Sequence, residues 1–170
     1  MIRHIQLFGA EVLEKPSEPV KNITDAEVKL VNDMVETMYT APGVGIAAPQ
    51  VGVGKRIMVT DPTAGEKKDQ LITLINPEIV VAEGEQYEEE GCLSIPGFSA
   101  PVLRPKHVVI RGLDLNGKEV TIEGSDLLAR AFCHELDHLN GVFFLDHLSF
   151  IKRDMIKRKI KKLKSQGKWE

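Results

Sequence analysis

The sequence has no long apolar segment, only two cysteines and almost no excess of charge. No run of residues approaches the roughly 20 apolar residues of a membrane-spanning helix, and residues 1–20 lack the apolar core of a secretion signal. A formal net charge of −3 gives no chain-wide reason to bind nucleic acid or membranes. We therefore expect a cytoplasmic protein without a membrane partner, whose cysteines stay reduced.

The residues that are present indicate a globular chain. Apolar residues make up 42% of the sequence and charged residues 28%, and 170 residues suffice for one domain with a buried core. No internal repeat and no linker rich in proline and glycine divides the chain. We expect a single catalytic domain over residues 1–170.

Three helices carry recognisable end signals. Thr24 and Glu27 form a capping-box pattern ahead of apolar residues at helical spacing. Ser125 is placed to cap a second helix, which should end at Asn140 because a glycine follows. A last helix should begin after Ser149.

Strand signals lie between these helices. Residues 56–60 and 71–81 are runs of β-branched and apolar residues, and residues 107–113 and 118–122 flank an Asn116-Gly117 pair suited to a hairpin turn. Antiparallel strands mixed irregularly with helices predict an α+β fold rather than a parallel sheet.

The helix predicted after Ser125 carries the sequence His134-Glu135-Leu136-Asp137-His138. Four residues make about one helical turn, so both imidazoles lie on one face and can bind one metal ion. Glu135, beside the first ligand, can exchange protons with water at that ion. The expected architecture is therefore antiparallel strands packed around a central metal-binding helix, with a C-terminal helix.

A catalytic site of this kind needs a third protein ligand. His147 is a poor candidate because it follows the predicted end of the helix. Cys92, between a glycine and a leucine at the end of an acidic stretch, is the better one. A lone cysteine is usually a small apolar core residue, but two nearby metal-binding histidines favour a thiolate ligand.

A glycine-rich segment, residues 43–50, ends in Gln50. Its glycines fit a dinucleotide-binding fingerprint only loosely, and a predicted helix precedes them where that fingerprint requires a strand. The segment instead suggests a closely approaching backbone and a glutamine amide that can donate to developing negative charge.

The chain contains three motifs in this order: GVGIAAPQ at 43–50, EGCLS at 90–94 and HELDH at 134–138. Together they resemble the motifs of the peptide deformylases. Ile95 and Pro96 directly after the second motif are similar to the bacterial type 1 branch. The resemblance spans essentially the whole chain. It implies hydrolytic removal of the formyl group from N-formylmethionyl nascent peptides, with release of formate.

The resemblance also implies roles for individual residues. Cys92, His134 and His138 would hold the metal, and Glu135 would be the general acid and base. Donors to the tetrahedral intermediate would be the Gln50 amide and the backbone N–H of Leu93. Peptide binding would involve the residues Val44, Gly45 and Gly91, which pair with the substrate backbone as an added strand, and Ala131, which lines the methionine pocket.

The implied cofactor is one divalent metal ion, Fe²⁺ in the cell, with Ni²⁺, Co²⁺ or Zn²⁺ in preparations. Cys133 and Ser99 depart from the family pattern, where glutamine and arginine are frequent, which puts contacts at the rim of the cleft in doubt. Two alternatives stay open. One is a zinc endopeptidase that uses the same His-Glu pair, and the other is a module with a structural metal, which usually needs four protein ligands.

The C-terminal residues 150–168 form a basic amphipathic pattern with nine lysines and arginines. The apolar residues Met155, Ile156, Ile160 and Leu163 should dock on the domain while the cations face outward. Solvated charge alone explains many such faces. Because the implied substrate emerges from the ribosome, we expect this helix to contact ribosomal RNA.

Overall fold

The computed structural model describes all 170 residues. Four α-helices and seven β-strands follow one another irregularly along the chain. In chain order they are α1 Glu11–Glu14, α2 Asp25–Thr40, β1 Gly45–Ala47, β2 Ile57–Thr60, β3 Ile72–Glu83, β4 Gln86–Cys92, β5 Ile95–Arg104, β6 His107–Leu113, β7 Glu119–Ser125, α3 Leu127–Leu139 and α4 Phe150–Ser165. Short 3₁₀ turns cover Ala48–Val51 and Phe144–His147.

The strands form two antiparallel sheets. The larger sheet has the order β1-β2-β3-β6-β7, so β1 and β7 are its edges. The smaller sheet contains only β4 and β5. This mixture of antiparallel sheets and helices confirms the expected α+β class. The β4–β5 pair is an addition to the strands predicted from the sequence.

Two of the three predicted helix starts are confirmed. The Thr24 backbone N–H donates to the Glu27 carboxylate at 2.8 Å, which completes the capping box of α2. The Ser149 hydroxyl accepts from the backbone of α4 at 3.3 Å. The Ser125 prediction is wrong, because Ser125 ends β7 and Asp126 occupies the cap position of α3 with φ +56° and no capping side chain.

Helix α3 packs against the five-stranded sheet. Phe132 and Leu139 of α3 are fully buried and share a cluster with Met58, Leu74 and Ile110 of the strands. Burying each such side chain stabilises the fold by roughly 1.5–3 kcal/mol. This packing fixes the helix that carries the HELDH motif.

A second core cluster joins the two ends of the chain. Leu13 of α1 and Ile95 of β5 share it with Ile156 and Ile160 of α4. The prediction for α4 is only partly right, because Met155 is 48% exposed and the helix ends at Ser165 rather than at 168. None of the helices has both the length and the apolar character needed to cross a membrane.

Candidate metal centre

Three predicted donor atoms converge between β4 and α3. The Nε2 atoms of His134 and His138 lie 3.2 Å apart, and Cys92 Sγ lies 3.2 Å from His138 Nε2. All three atoms lie within 4.8 Å of one another. Donors around one tetrahedral ion, with bonds of about 2.0–2.3 Å, would be roughly 3.3–3.7 Å apart, so these positions fit a single metal ion.

The orientation of His134 also fits a metal ligand. Its Nδ1 lies 2.7 Å from Glu90 Oε2, and a carboxylate can only accept, so Nδ1 carries the hydrogen. The lone pair of Nε2 therefore points toward Cys92 and His138. Carboxylates that orient metal-binding imidazoles in this way are typical of metal sites.

Glu90 belongs to a buried ionic cluster. Its carboxylate accepts from Arg104 at 3.1 and 2.6 Å and from Arg130 at 2.8 Å, and all three side chains are at most 5% exposed. Burial alone would raise the pKa of Glu90, but the hydrogen bonds from His134 and Arg104 outweigh it and hold that pKa well below its usual range. The carboxylate therefore stays ionised and keeps His134 in place.

The cluster extends along α3 to Asp137, about one turn after His134. Arg104 donates to Asp137 Oδ2 at 2.7 Å, and His147 Nε2 lies 2.8 Å from the same oxygen. Asp137 is thereby tied both to β5 and to the 3₁₀ turn that follows α3. These contacts hold in place the turn of α3 that carries His134 and His138.

Glu135 places a buried carboxylate beside the converging donors, with Oε1 4.0 Å from His134 Nε2. Its side chain is 1% exposed, and Oε2 has no hydrogen-bonding partner. Burial raises the pKa of Glu135 to about 7, against a weaker opposing effect of His134. A carboxyl group with this pKa can both accept and donate a proton near neutral pH.

The glycine at position 45 makes room for Glu135. A Cβ atom on Gly45 would lie 2.9 Å from Glu135 Cγ and 3.0 Å from Oε2. No side chain fits there without displacement of the carboxylate or of β1. Gly45 thus has a steric role in addition to the predicted backbone contact.

Gln50 is held with its amide nitrogen toward Cys92. Its Oε1 accepts from the Ala47 N–H at 2.9 Å, and its Nε2 donates to Ser94 Oγ at 3.1 Å and lies 3.8 Å from Cys92 Sγ. One hydrogen of Nε2 is used by Ser94, and the other has only the long contact with Cys92 Sγ, so it can be given to an acceptor beside that sulfur. Leu93, between Cys92 and Ser94, uses its backbone N–H in no hydrogen bond with another backbone group.

A cavity of about 470 Å³ opens beside these residues. Nine of the ten predicted site residues line it: Val44, Gly45, Gln50, Gly91, Cys92, Leu93, Ala131, His134 and Glu135. His138, 1% exposed, is the one predicted site residue that does not line the cavity. The structure therefore brings the predicted residues together at one place.

The edge strand β1 faces the cavity with a free backbone edge. The Val44 carbonyl accepts from the Asp61 N–H at 2.8 Å, so it points toward β2. Backbone groups of successive residues in a strand point to opposite edges, so Gly45 directs its N–H and C=O away from β2. Gly45 can pair with an added strand, whereas the Val44 carbonyl is already used.

Several residues that shape the site were not predicted. Phe98 and Leu127 line the cavity, and Arg104 and Arg130 hold Glu90. Leu127 opens α3 four residues before Ala131 and seven before His134, and this shared helix face is a signal that could have pointed to a cleft residue. The arginines carry no local signal, because their partner lies 14 or 40 residues away in sequence.

Neither departure from the family pattern alters the donors. Cys133 is buried among the apolar residues under α3, and burial raises the pKa of its thiol to about 11. Ser99 is exposed on β5, opposite Gly91, and does not line the cavity. Both residues lie outside the group of converging donors.

Antiparallel sheets with a buried glutamate beside a convergent Cys-His-His set define a metallohydrolase. The sequence matches the family model described as polypeptide deformylase over residues 2–154. It is 47% identical to the peptide deformylase of Acidobacterium capsulatum over 99% of each chain, and 49% identical to that of Thermodesulfovibrio yellowstonii over 94% of this chain and 97% of the relative. The crystal structure of a peptide deformylase from Legionella pneumophila, 44% identical, superposes with a TM-score of 0.92 and covers 100% of this chain and 99% of that one. The chain belongs to the peptide deformylase family.

Proposed function

We propose that this chain removes the formyl group from the N-terminal formylmethionine of nascent peptides and releases formate. The observation that carries this is the buried Glu135, with a free carboxylate oxygen and a pKa of about 7, beside three convergent donors at the wall of the cavity. The alternative of a zinc endopeptidase is not favoured, since the family is that of the deformylases.

Cys92 of β4 and the two histidines of α3, His134 and His138, are the residues proposed to hold the metal, which makes α3 the proposed metal-binding helix. When bound, a divalent ion supplies Lewis acidity that acidifies a water molecule and polarises the formyl carbonyl. Two imidazoles and one thiolate suit Fe²⁺, Co²⁺, Ni²⁺ or Zn²⁺. We propose Fe²⁺ as the ion used in the cell, on the resemblance described above.

Glu135 accepts a proton from the attacking water and returns it to the amine that leaves as the C–N bond breaks. Water thereby adds to the formyl carbon, and the products are formate and a free N-terminus. The Gln50 amide and the Leu93 N–H donate to the formyl oxygen as negative charge develops on it. Fixed donors of this kind can each contribute about 3 kcal/mol to the rate.

The peptide is proposed to bind as an extended strand along the free edge of β1. Gly45 provides backbone groups at this edge, and Gly91 lies across the cavity on β4. Ala131 lies one helical turn before His134, so it can line the pocket for the methionine side chain. The position of Val44 allows a side-chain contact in the same pocket.

The test measures formate release from formyl-Met-Ala-Ser by anaerobically prepared, iron-loaded protein. The variant Glu135→Gln should retain the metal and lose at least 10²-fold in kcat, because the ligands are intact and the proton carrier is gone. An N-acetylated peptide of the same sequence serves as the control substrate. Turnover of the variant close to that of the wild type at full metal content would contradict the role of Glu135.

We propose that residues 1–170 form one catalytic domain and that the outer face of α4 binds ribosomal RNA in the cytoplasm. The first part is supported by the core cluster that joins α1, β5 and α4. The second is supported by exposed cations on α4, among them Lys157, Lys159 and Lys161. Ile156 and Ile160 are buried, so removal of α4 would also open the core.

Charge substitutions therefore test ribosome binding better than truncation does. The triple change of Lys157, Lys159 and Lys161 to Gln should abolish salt-sensitive co-sedimentation with ribosomes while formate release is retained. The matched control also removes three charges, by changing to Gln the exposed Lys67 and Lys68 on the loop after β2 and Lys118 in the turn between β6 and β7. Equal co-sedimentation of the triple variant and the control would contradict the proposal.

A further inference from the structure

The C-terminal end of the chain returns to the N-terminal segment. After α4, the backbone N–H of Lys168 donates to the Leu163 carbonyl at 2.8 Å, and the indole N–H of Trp169 donates to the Phe8 carbonyl at 3.1 Å. Trp169 is half-buried and packs against the cluster that contains Ile156 and Ile160. The indole thus has a defined position, although it lies beyond the residues that the family model matches.

Phe8 and Trp169 together contact both ends of one wall of the cleft, which we define as residues 92–98. At one end, the Phe8 N–H donates to the Ser94 carbonyl at 2.8 Å, and the Ser94 hydroxyl accepts from Gln50. At the other end, the ring centroids of Trp169 and Phe98 are 6.3 Å apart at an interplanar angle of 55°. Aromatic rings interact favourably at separations of about 4.5–7 Å.

The cleft wall is open on its cavity side, whereas its outer side packs on the core cluster that contains Ile156 and Ile160. Phe98 faces the cavity, and a Cβ atom added to Gly97 beside it would meet no atom within 4 Å. Gly97 itself has φ +86°, a conformation that side-chain-bearing residues rarely adopt. The position of Phe98 therefore depends on its contacts outside the cleft, and Trp169 is one of these.

We propose that Trp169 is a positioning residue for peptide binding, which holds Phe98 against the cleft from outside and so sets the affinity for residues after the formylated methionine. The proposal rests on the proposed function, because it concerns the same cleft. Trp169 does not line the cavity and so takes no part in the chemical step. Its effect should appear in KM and not in kcat.

The kinetic test uses the metal-loaded full chain and formyl-Met-Ala-Ser. Trp169→Ala should raise KM about five- to tenfold, the loss expected from one aromatic pair, with kcat within about twofold of the wild type. Trp169→Phe, which keeps a ring, should restore KM to within about threefold. Ile122→Ala, on the opposite edge strand β7, is the control for general loss of stability and should leave KM unchanged.

A second measurement leaves Trp169 in place. Because Trp169 is the only tryptophan, the emission of the protein reports on this residue alone. Titration of the metal-loaded protein with the product peptide Met-Ala-Ser should give a saturable change in emission, at the same concentration at which the peptide inhibits formate release. Phe98→Ala should remove this change.

An unchanged KM in folded Trp169→Ala would overturn the proposal, as would a fall in kcat at constant KM. The absence of any emission change on peptide binding would overturn it as well. In each case formate release by the wild type decides the proposed function separately, so the two failures are distinguishable.

Discussion

Gly45→Ala should inactivate the enzyme while the metal stays bound. The added Cβ would lie 2.9 Å from Cγ and 3.0 Å from Cδ of Glu135, whereas carbon atoms in favourable contact are about 3.5–4.0 Å apart. Either the carboxylate or β1 must therefore move by roughly 0.6–1 Å. Glu135 is 1% exposed, and the space open to its carboxylate is the cavity in which the peptide is proposed to bind, so a displaced carboxylate leaves its place beside the donors.

The expected magnitude follows from that displacement. A misplacement of about 1 Å at a reacting group can cost about 10²-fold in rate, so kcat for Gly45→Ala should fall about 30- to 100-fold. This corresponds to about 2–2.7 kcal/mol in the activation free energy. The metal content should not change, because the three atoms nearest to the new methyl group all belong to Glu135 and not to a donor residue.

Formate release from formyl-Met-Ala-Ser, measured at saturating peptide and normalised to bound metal, is the assay. Gly54→Ala is the matched control, since a Cβ atom there would meet nothing within 4 Å and kcat should stay within about twofold. A Gly45→Ala enzyme with full metal and turnover within threefold of the wild type would refute the reasoning. Glu135 would then not require the position that the structure gives it.

Two further predictions concern the metal centre. Glu90→Gln removes the charge that faces Arg104 and His134. Metal affinity should therefore fall about 10- to 100-fold in a competition titration, and the free energy of unfolding should fall by about 3–5 kcal/mol. Unchanged metal affinity would contradict this role of Glu90. The pKa of Glu90 is lower in the folded than in the unfolded chain, so its carboxylate stabilises the fold fully above pH 4.5 and less as the pH falls below that value. Below pH 4.5, the free energy of unfolding of the Gln variant should therefore depend less on pH than that of the wild type. Cys92→Ala should lose both metal and activity, since two imidazoles alone make a weak site, and full metal occupancy by elemental analysis would require another ligand.

The parts of the fold that the sequence predicts are those with local causes. The α2 capping box joins residues three apart, and the β6–β7 hairpin turns at an Asn-Gly pair. The two histidines of α3 face the same side because helical spacing requires it. Each of these features depends on neighbours in sequence.

The features that were missed depend on distant residues. Strand β4 contains the acidic run Glu88-Glu89-Glu90, which has low strand propensity, and its pairing with β5 supplies the missing stabilisation. The partners of Glu90 are brought to it only by the folded chain. Ser125 is a good helix cap in isolation, but here it is paired with His107 at the end of β7, so the helix starts one residue later without it.

The position of Cys92 on the small sheet, apart from the helix that carries both histidines, links metal binding to the folding equilibrium. In the unfolded chain the thiolate and the imidazoles are separated by more than 40 residues, and closing that loop carries an entropic cost. The ion therefore binds the native state far more tightly than the unfolded state, and its concentration shifts the unfolding transition by mass action. For this reason, the melting temperature of the protein is itself a measure of metal loading.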